Sequence, residues 1–188
     1  KIHDYRNKVG SMTICLVSVN EQTYLWEPFT QESEMVYDIN RNLYKSIYGN
    51  KIRFEEINND LGLCFTYGWY NSDKFGWIKK ASLSNISSSV IQVEITDGFR
   101  NLLPAHTEYP FQNEYSNLLD AYKKNELLKV SKLGLFMLSS IPVDKAEPSE
   151  ALKANAVWSV VEGEDAKYLI SDNQLELFRT GKDIQTEH

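Results

Sequence analysis

The alternation of apolar and polar residues gives the first readable element. Within "MTICLVSVNEQTYLWEP" (12–28), an apolar run, a turn at Asn20-Glu21 and a second run predict a β-hairpin. Beyond Thr30 the spacing changes. In "QESEMVYDINRNLYKSIYG" the apolar residues Met35, Ile39, Leu43 and Ile47 fall four apart, which predicts an amphipathic helix stopped by Gly49. "NNDLG" is a polar turn. Residues 61–104 then carry short strands: "LGLCFTYGWY", "FGWIKKASLS", "SSVIQVEIT" and "RNLLP". In the third of these, Val90, Gln92 and Glu94 share one face and Ile91, Val93 and Ile95 the other, before Asp97-Gly98 breaks the run.

After Pro110, "FQNEYSNLLDAYKKN" predicts a helix with Tyr115, Leu118, Leu119 and Tyr122 on one face, followed by a strand region, "ELLKVSKLGLFMLSS". "PVDKAEPSEALKAN" is rich in proline and charge and reads as a loop. "AVWSVVEG" and "AKYLIS" predict another hairpin, and "NQLELFRTG" a short helix ending at Gly181. There is no internal repeat. Residues 12–48 and 127–181 are each too small for a domain, so the expected organisation packs them together, with 61–104 inserted. The first residue, Lys1, and the polar tail Thr186-Glu187-His188 suggest a piece of a longer protein.

Composition narrows the function classes. The 188 residues, 42% hydrophobic and 24% charged, suit a globular chain with a self-sufficient core. A net charge of −6 argues against a general phosphate-backbone binder and favours a basic partner, or simply solubility. No apolar run approaches the roughly 18 residues of a membrane span, so no membrane partner is expected. Cys15 and Cys64 lie in apolar, strand-like surroundings and read as reduced core thiols. His3, His106 and His188 make no metal spacing with them, and no cofactor or metal is expected.

The central block resembles an extended Tudor domain. That family shows a Gly, then Cys, a small residue and an aromatic, an Asp shortly before Trp-Tyr-Arg-Ala, an Ile-Asp-Tyr-Gly-Asn turn, and Leu-Pro. This chain has Gly62, Cys64, Thr66, Tyr67, Asp73, "WIKKA" from Trp77, "VEITDG" ending at Gly98, and "LLP" at 102–104. "LGLFMLSSIP" and "QLELFRTG" match the flanks more loosely. The resemblance implies a mostly β, α+β fold: a Tudor (SH3-like) barrel at 61–104, inserted into a split staphylococcal-nuclease-like OB fold formed by 10–58 and 110–184.

It also implies a site. The family reads dimethylated arginine with a cage of aromatic rings and an Asn. Aligned without gaps around Gly98, Tyr67 keeps the first ring position and Ile78 stands where a tyrosine belongs. Glu94 and Asp97 replace two rings, and Phe99 replaces the Asn. A slip of one residue instead pairs Asp97 with the family's Asp and puts Ile95 and Gly98 in ring positions. The cage is incomplete either way. Carboxylates at Glu94 and Asp97 would favour an unmethylated guanidinium with all its donors, or else be solvated turn residues. Trp69, Tyr70 and Phe75 form a possible rim for a peptide's apolar side chains, or barrel core and loop.

The resulting expectation is a non-enzymatic adaptor that docks the arginine-rich N-terminal tail of a PIWI-type Argonaute, unmethylated or independent of methylation. The implied setting is the cytoplasm, at perinuclear germ granules of the piRNA pathway. The alternative is an architectural domain that self-associates. A nuclease would need clustered carboxylates and a cation, which 12–28 and 127–170 do not group. Direct nucleic-acid binding is not expected at pI 5.2.

Overall fold

The computed structural model describes residues 9–105, 107–114, 116–140, 153–162 and 166–186. The chain divides into two compact units, one of them Ser11–Gly98 and the other made by Val9, Gly10 and the described residues from Phe99 onward.

In the first unit, β1 (Gly10–Val19) and β2 (Gln22–Trp26) form the hairpin that alternation predicts, with Asn20 and Glu21 both at positive φ as a two-residue turn requires. β7 (Gln92–Arg100) lies on the other side of β1, giving the order β2-β1-β7. The second sheet is an antiparallel meander: β3 (Ile39–Lys45), β4 (Ile52–Asn58), β5 (Leu63–Ser72) and β6 (Gly76–Asn85), in that order. Cys15, Val17 and Trp26 from one sheet and Leu61, Leu63 and Phe65 beside or in the other make one buried cluster. Val93 and Leu83 pack against it. The two sheets therefore share a core face to face, as layers of a sandwich do.

Two expectations are corrected here. The helix expected from Gln31 to Gly49 is only one short turn, α1 (Gln31–Val36), and then β3. Thr30 caps α1 by accepting from Ser33 N–H, and the Tyr37 N–H ends it on the Ser33 carbonyl at 2.9 Å. The seven residues beyond pair with β4 along their whole length, from Ile39 opposite Asn58 to Lys45 opposite Ile52. Met35, Leu43 and Ile47 are all exposed, so their four-residue spacing marks no buried face. The second correction concerns the resemblance itself. Both sheets of this unit are open, and no closed Tudor or SH3-like barrel exists among the described residues. β5 and β6 belong to one sheet and β7 to the other, so 61–104 is not a self-contained barrel. The extended Tudor assignment, and the PIWI, Argonaute and piRNA setting that rested on it, are not supported.

The second unit holds α2 (Tyr109–Asn113), α3 (Ser116–Tyr122), β8 (Lys123–Leu128), β9 (Leu133–Leu138), β10 (Ala154–Val157) and α4 (Asp172–Arg179). The single helix expected after Pro110 is broken in two at Glu114, where the N–H caps back to Pro110. β10-β9-β8 is again an open antiparallel sheet and forms no OB barrel among the described residues. "AKYLIS" is not a strand: β10 pairs with β9 instead of with residues 166–171. The loop expected over 142–155 lies mostly outside the described residues. α4 forms as expected, with Ser171 as N-cap and Gly181 at φ 68 beyond its end.

Candidate functional site

The register of the four-stranded sheet fixes which side chains share its inner face, because directly opposed residues in an antiparallel pair point the same way. From β4, β5 and β6 the inner rows run Asn58–Leu63–Asn85, Glu56–Phe65–Leu83, Phe54–Tyr67–Ala81 and Ile52–Trp69–Lys79, with Asn71–Trp77 last. Along β4 and β5 burial falls from the first rows to the last. Leu63, Phe65, Glu56 and Asn58 are buried, Phe54, Tyr67 and Trp69 are half-buried, and Trp77 is 76% exposed. The partner sheet thus covers the first rows and reaches as far as Lys79, whose side chain is 4% exposed, leaving the Trp77 ring beyond it.

Those rings touch. Phe54 stacks on Tyr67 at 4.8 Å between centroids, and Phe29 meets Tyr67 edge-on at 5.3 Å. Trp69 and Trp77 are edge-to-face at 6.4 Å. Phe29 reaches the group from a left-handed backbone conformation, φ 67, which costs a non-glycine residue about 1 kcal/mol or more. Its N–H donates to Glu56 Oε2 at 2.7 Å, which holds it there. Glu56 is wholly buried and also accepts from Trp26 Nε1 at 2.9 Å and from Arg41 Nε at 2.7 Å. Arg41 in turn donates to Glu34 and to the Thr30 carbonyl. A buried carboxylate persists only with such a set of donors. Glu56 ties β2, the segment leading to α1, β3 and β4 together beneath the aromatic surface.

The sequence-derived site residues separate in this geometry. Glu94 and Asp97 are three apart on β7, so they point to opposite faces. Glu94 is exposed. Asp97 shares a face with Val93, accepts from Thr13 Oγ1 at 2.6 Å, and pairs with Lys79 Nζ at 2.5 Å. The Lys79 side chain is only 4% exposed, and its ammonium lies 5.4 Å from the centre of the Tyr67 ring. The place between Tyr67 and Asp97 is occupied by the protein's own cation. Burial also raises the Tyr67 phenol above its ordinary pKa.

Ile78 and Tyr70 are opposed on the outer face of the sheet. The Tyr70 ring lies over Gly68, where a Cβ would come within 3.2 Å of it. Phe75 is in the β5–β6 turn, exposed, with the Lys74 ammonium 5.2 Å above its ring. Trp69 is the expected rim residue that joins the aromatic face. Phe99 falls in the other unit. Phe29 and Phe54 were not readable from the sequence as members of this cluster. The cysteines are unsuited to nucleophilic chemistry. Burial first, and the Asp97 charge second, push the Cys15 thiol up to about 12, and burial also raises Cys64. Among the described residues no group of His, Cys, Asp and Glu is placed to hold a metal ion.

Fold and site together define an α+β protein of two units built on open antiparallel sheets, with an aromatic surface at the uncovered end of one sandwich. No family model matches the chain, and no curated protein does.

Proposed function

We propose that the chain is a non-enzymatic peptide-binding adaptor whose ligand is an extended, basic segment bearing arginine. The observation that supports this reading is Trp77, an indole 76% exposed at the end of an aromatic row. It stands on β6, the terminal strand of its sheet. A terminal strand offers backbone N–H and C=O groups to an added extended chain, while neighbouring side chains select what docks. A guanidinium lying on the Trp77 ring gains a cation–π attraction of about 0.5–1 kcal/mol. The net charge of −6 favours the approach of a basic segment.

Methylation of the arginine has little effect in this reading. With Glu94 turned away and Asp97 held by Lys79 and Thr13, no carboxylate pair awaits the donors that methylation removes. Calorimetric titration with matched unmodified and dimethylated arginine peptides tests this. Affinities within about threefold of each other are expected, together with a loss of binding in Trp77→Ala. Equal binding by Trp77→Ala, or none by the wild type, would overturn the reading. The same exposed edge favours one alternative, pairing of β6 between two copies. Light scattering across a concentration series distinguishes it by a mass that doubles without peptide.

A further inference from the structure

The turn between β3 and β4 is built to display two apolar side chains. Ser46 and Gly49 close a β-turn, Gly49 N–H to Ser46 C=O at 2.9 Å, and Ser46 N–H donates to the Lys51 carbonyl at 3.0 Å. Ser46 Oγ adds bonds to Asn50 Oδ1 at 2.9 Å and from Lys51 N–H at 3.2 Å. Gly49 takes φ 70 to complete the reversal. The residues at the two central positions, Ile47 and Tyr48, are 99% and 91% exposed. Four hydrogen bonds within six residues therefore hold an isoleucine and a tyrosine outward, where neither packs on the protein.

Charge around this tip is opposite to that of the chain. From Tyr44 to Arg53 there are Lys45, Lys51 and Arg53 and no acid, in a protein of net charge −6; Glu55, further along β4, accepts from the Tyr44 hydroxyl at 2.9 Å. Arg53 is kept beside the tip by stacking on the Tyr44 ring at 4.4 Å. Apolar side chains at a tip flanked by cations match a bilayer interface, where apolar groups enter the acyl boundary and lysines meet anionic headgroups. Nucleic acid is the weaker match, because it would stack on Tyr48 but has no apolar region for Ile47.

We propose that the Ile47–Tyr48 tip is a peripheral contact for an anionic lipid surface. The contact needs no spanning segment, and among the described residues no helix is long and apolar enough to cross a membrane. It departs from the expectation of no membrane partner, which rested only on the absence of a span. The remaining net negative charge makes the contact orientation-dependent, tip first, and weak alone.

Flotation with phosphatidylcholine vesicles, with and without one-fifth phosphatidylserine, tests this on the full chain. Binding is expected only with phosphatidylserine. Ile47→Ser with Tyr48→Ser should weaken it about tenfold or more, and each of Lys45→Glu and Lys51→Glu about fivefold. Lys153→Glu, the same charge change at an exposed position in the other unit, should leave it unaltered. Circular dichroism checks that the variants fold. Failure to float with phosphatidylserine, equal flotation with neutral vesicles, unchanged flotation of the tip variants, or binding of a ribo-oligonucleotide through these residues in place of vesicles would each overturn the proposal. None of these outcomes bears on Trp77 or the peptide.

Discussion

Replacing Glu56 by alanine gives the sharpest test of how the first unit is held together. Its carboxylate is wholly buried and serves Trp26 Nε1, Phe29 N–H and Arg41 Nε at 2.9, 2.7 and 2.7 Å. Truncation strands the Trp26 indole N–H, on a residue that is itself fully buried, and the Phe29 N–H. An orphaned buried donor such as the Trp26 indole costs about 1–3 kcal/mol, and the half-buried Phe29 N–H costs toward the lower end of that range. Arg41 adds little, since its side chain is 32% exposed and keeps Glu34 and the Thr30 carbonyl. The expected loss is about 3–5 kcal/mol, a large share of the roughly 5–15 kcal/mol that stabilises a domain. Glu56→Gln keeps the shape and one acceptor but turns an amide toward a donor, so about half that loss is expected. Urea unfolding followed by tryptophan fluorescence and circular dichroism measures both, with the two units allowed separate transitions. A loss below about 1 kcal/mol in Glu56→Ala, or a Gln variant worse than the Ala variant, would refute the account of Glu56 as the shared acceptor.

Four further outcomes follow from other parts of the structure. Asp97→Asn removes the charge 2.5 Å from the Lys79 ammonium, whose side chain is 4% exposed, and should cost about 1–3 kcal/mol, whereas Lys79→Met should be milder because Asp97 is 30% exposed and keeps Thr13; chemical denaturation ranks the two. Gly68→Ala places a Cβ 3.1 Å from the Ile52 carbonyl oxygen and 3.2 Å from the Tyr70 ring, so it should lower stability by about 1–2 kcal/mol in the same assay. With a pKa of about 12, Cys15 is about one part in ten thousand thiolate at pH 8, so a disulfide reagent should label Cys64 first in the native protein. The folded value lies above the ordinary 9.0, so the stability contributed by Cys15 is intact below pH 9 and is lost as pH rises toward 12; Cys15→Val should flatten that decline in pH-dependent melts.

The parts of the fold that were legible in the sequence are those where local and tertiary preferences agree. The β1–β2 hairpin, β5 with β6, and α4 each combine periodicity with a turn or cap. Met35, Ile39, Leu43 and Ile47 mimic a helical stripe, yet β3 is held by pairing to β4, which no local pattern announces. Glu56 carried no signal either, since an acid in a strand usually faces water and its partner Arg41 is 15 residues away. The divergence of Glu94 from Asp97 was implicit in their odd spacing on a strand. That Lys79 pairs with Asp97 beside Tyr67 was not, because the Lys79–Asp97 contact joins strands from different sheets.

The contact between Thr13 and Asp97 bears on the wider architecture. These residues lie two positions inside Ser11 and one inside Gly98, the two boundaries of the first unit. Entry and exit of this 11–98 segment are therefore brought together by the pairing of β1 with β7 and by this side-chain bridge, the arrangement that lets a folded segment be carried within a loop of a host without stretching it. Such a segment is a candidate for expression alone, or for transplantation into another scaffold by joining the host chain at Ser11 and Gly98.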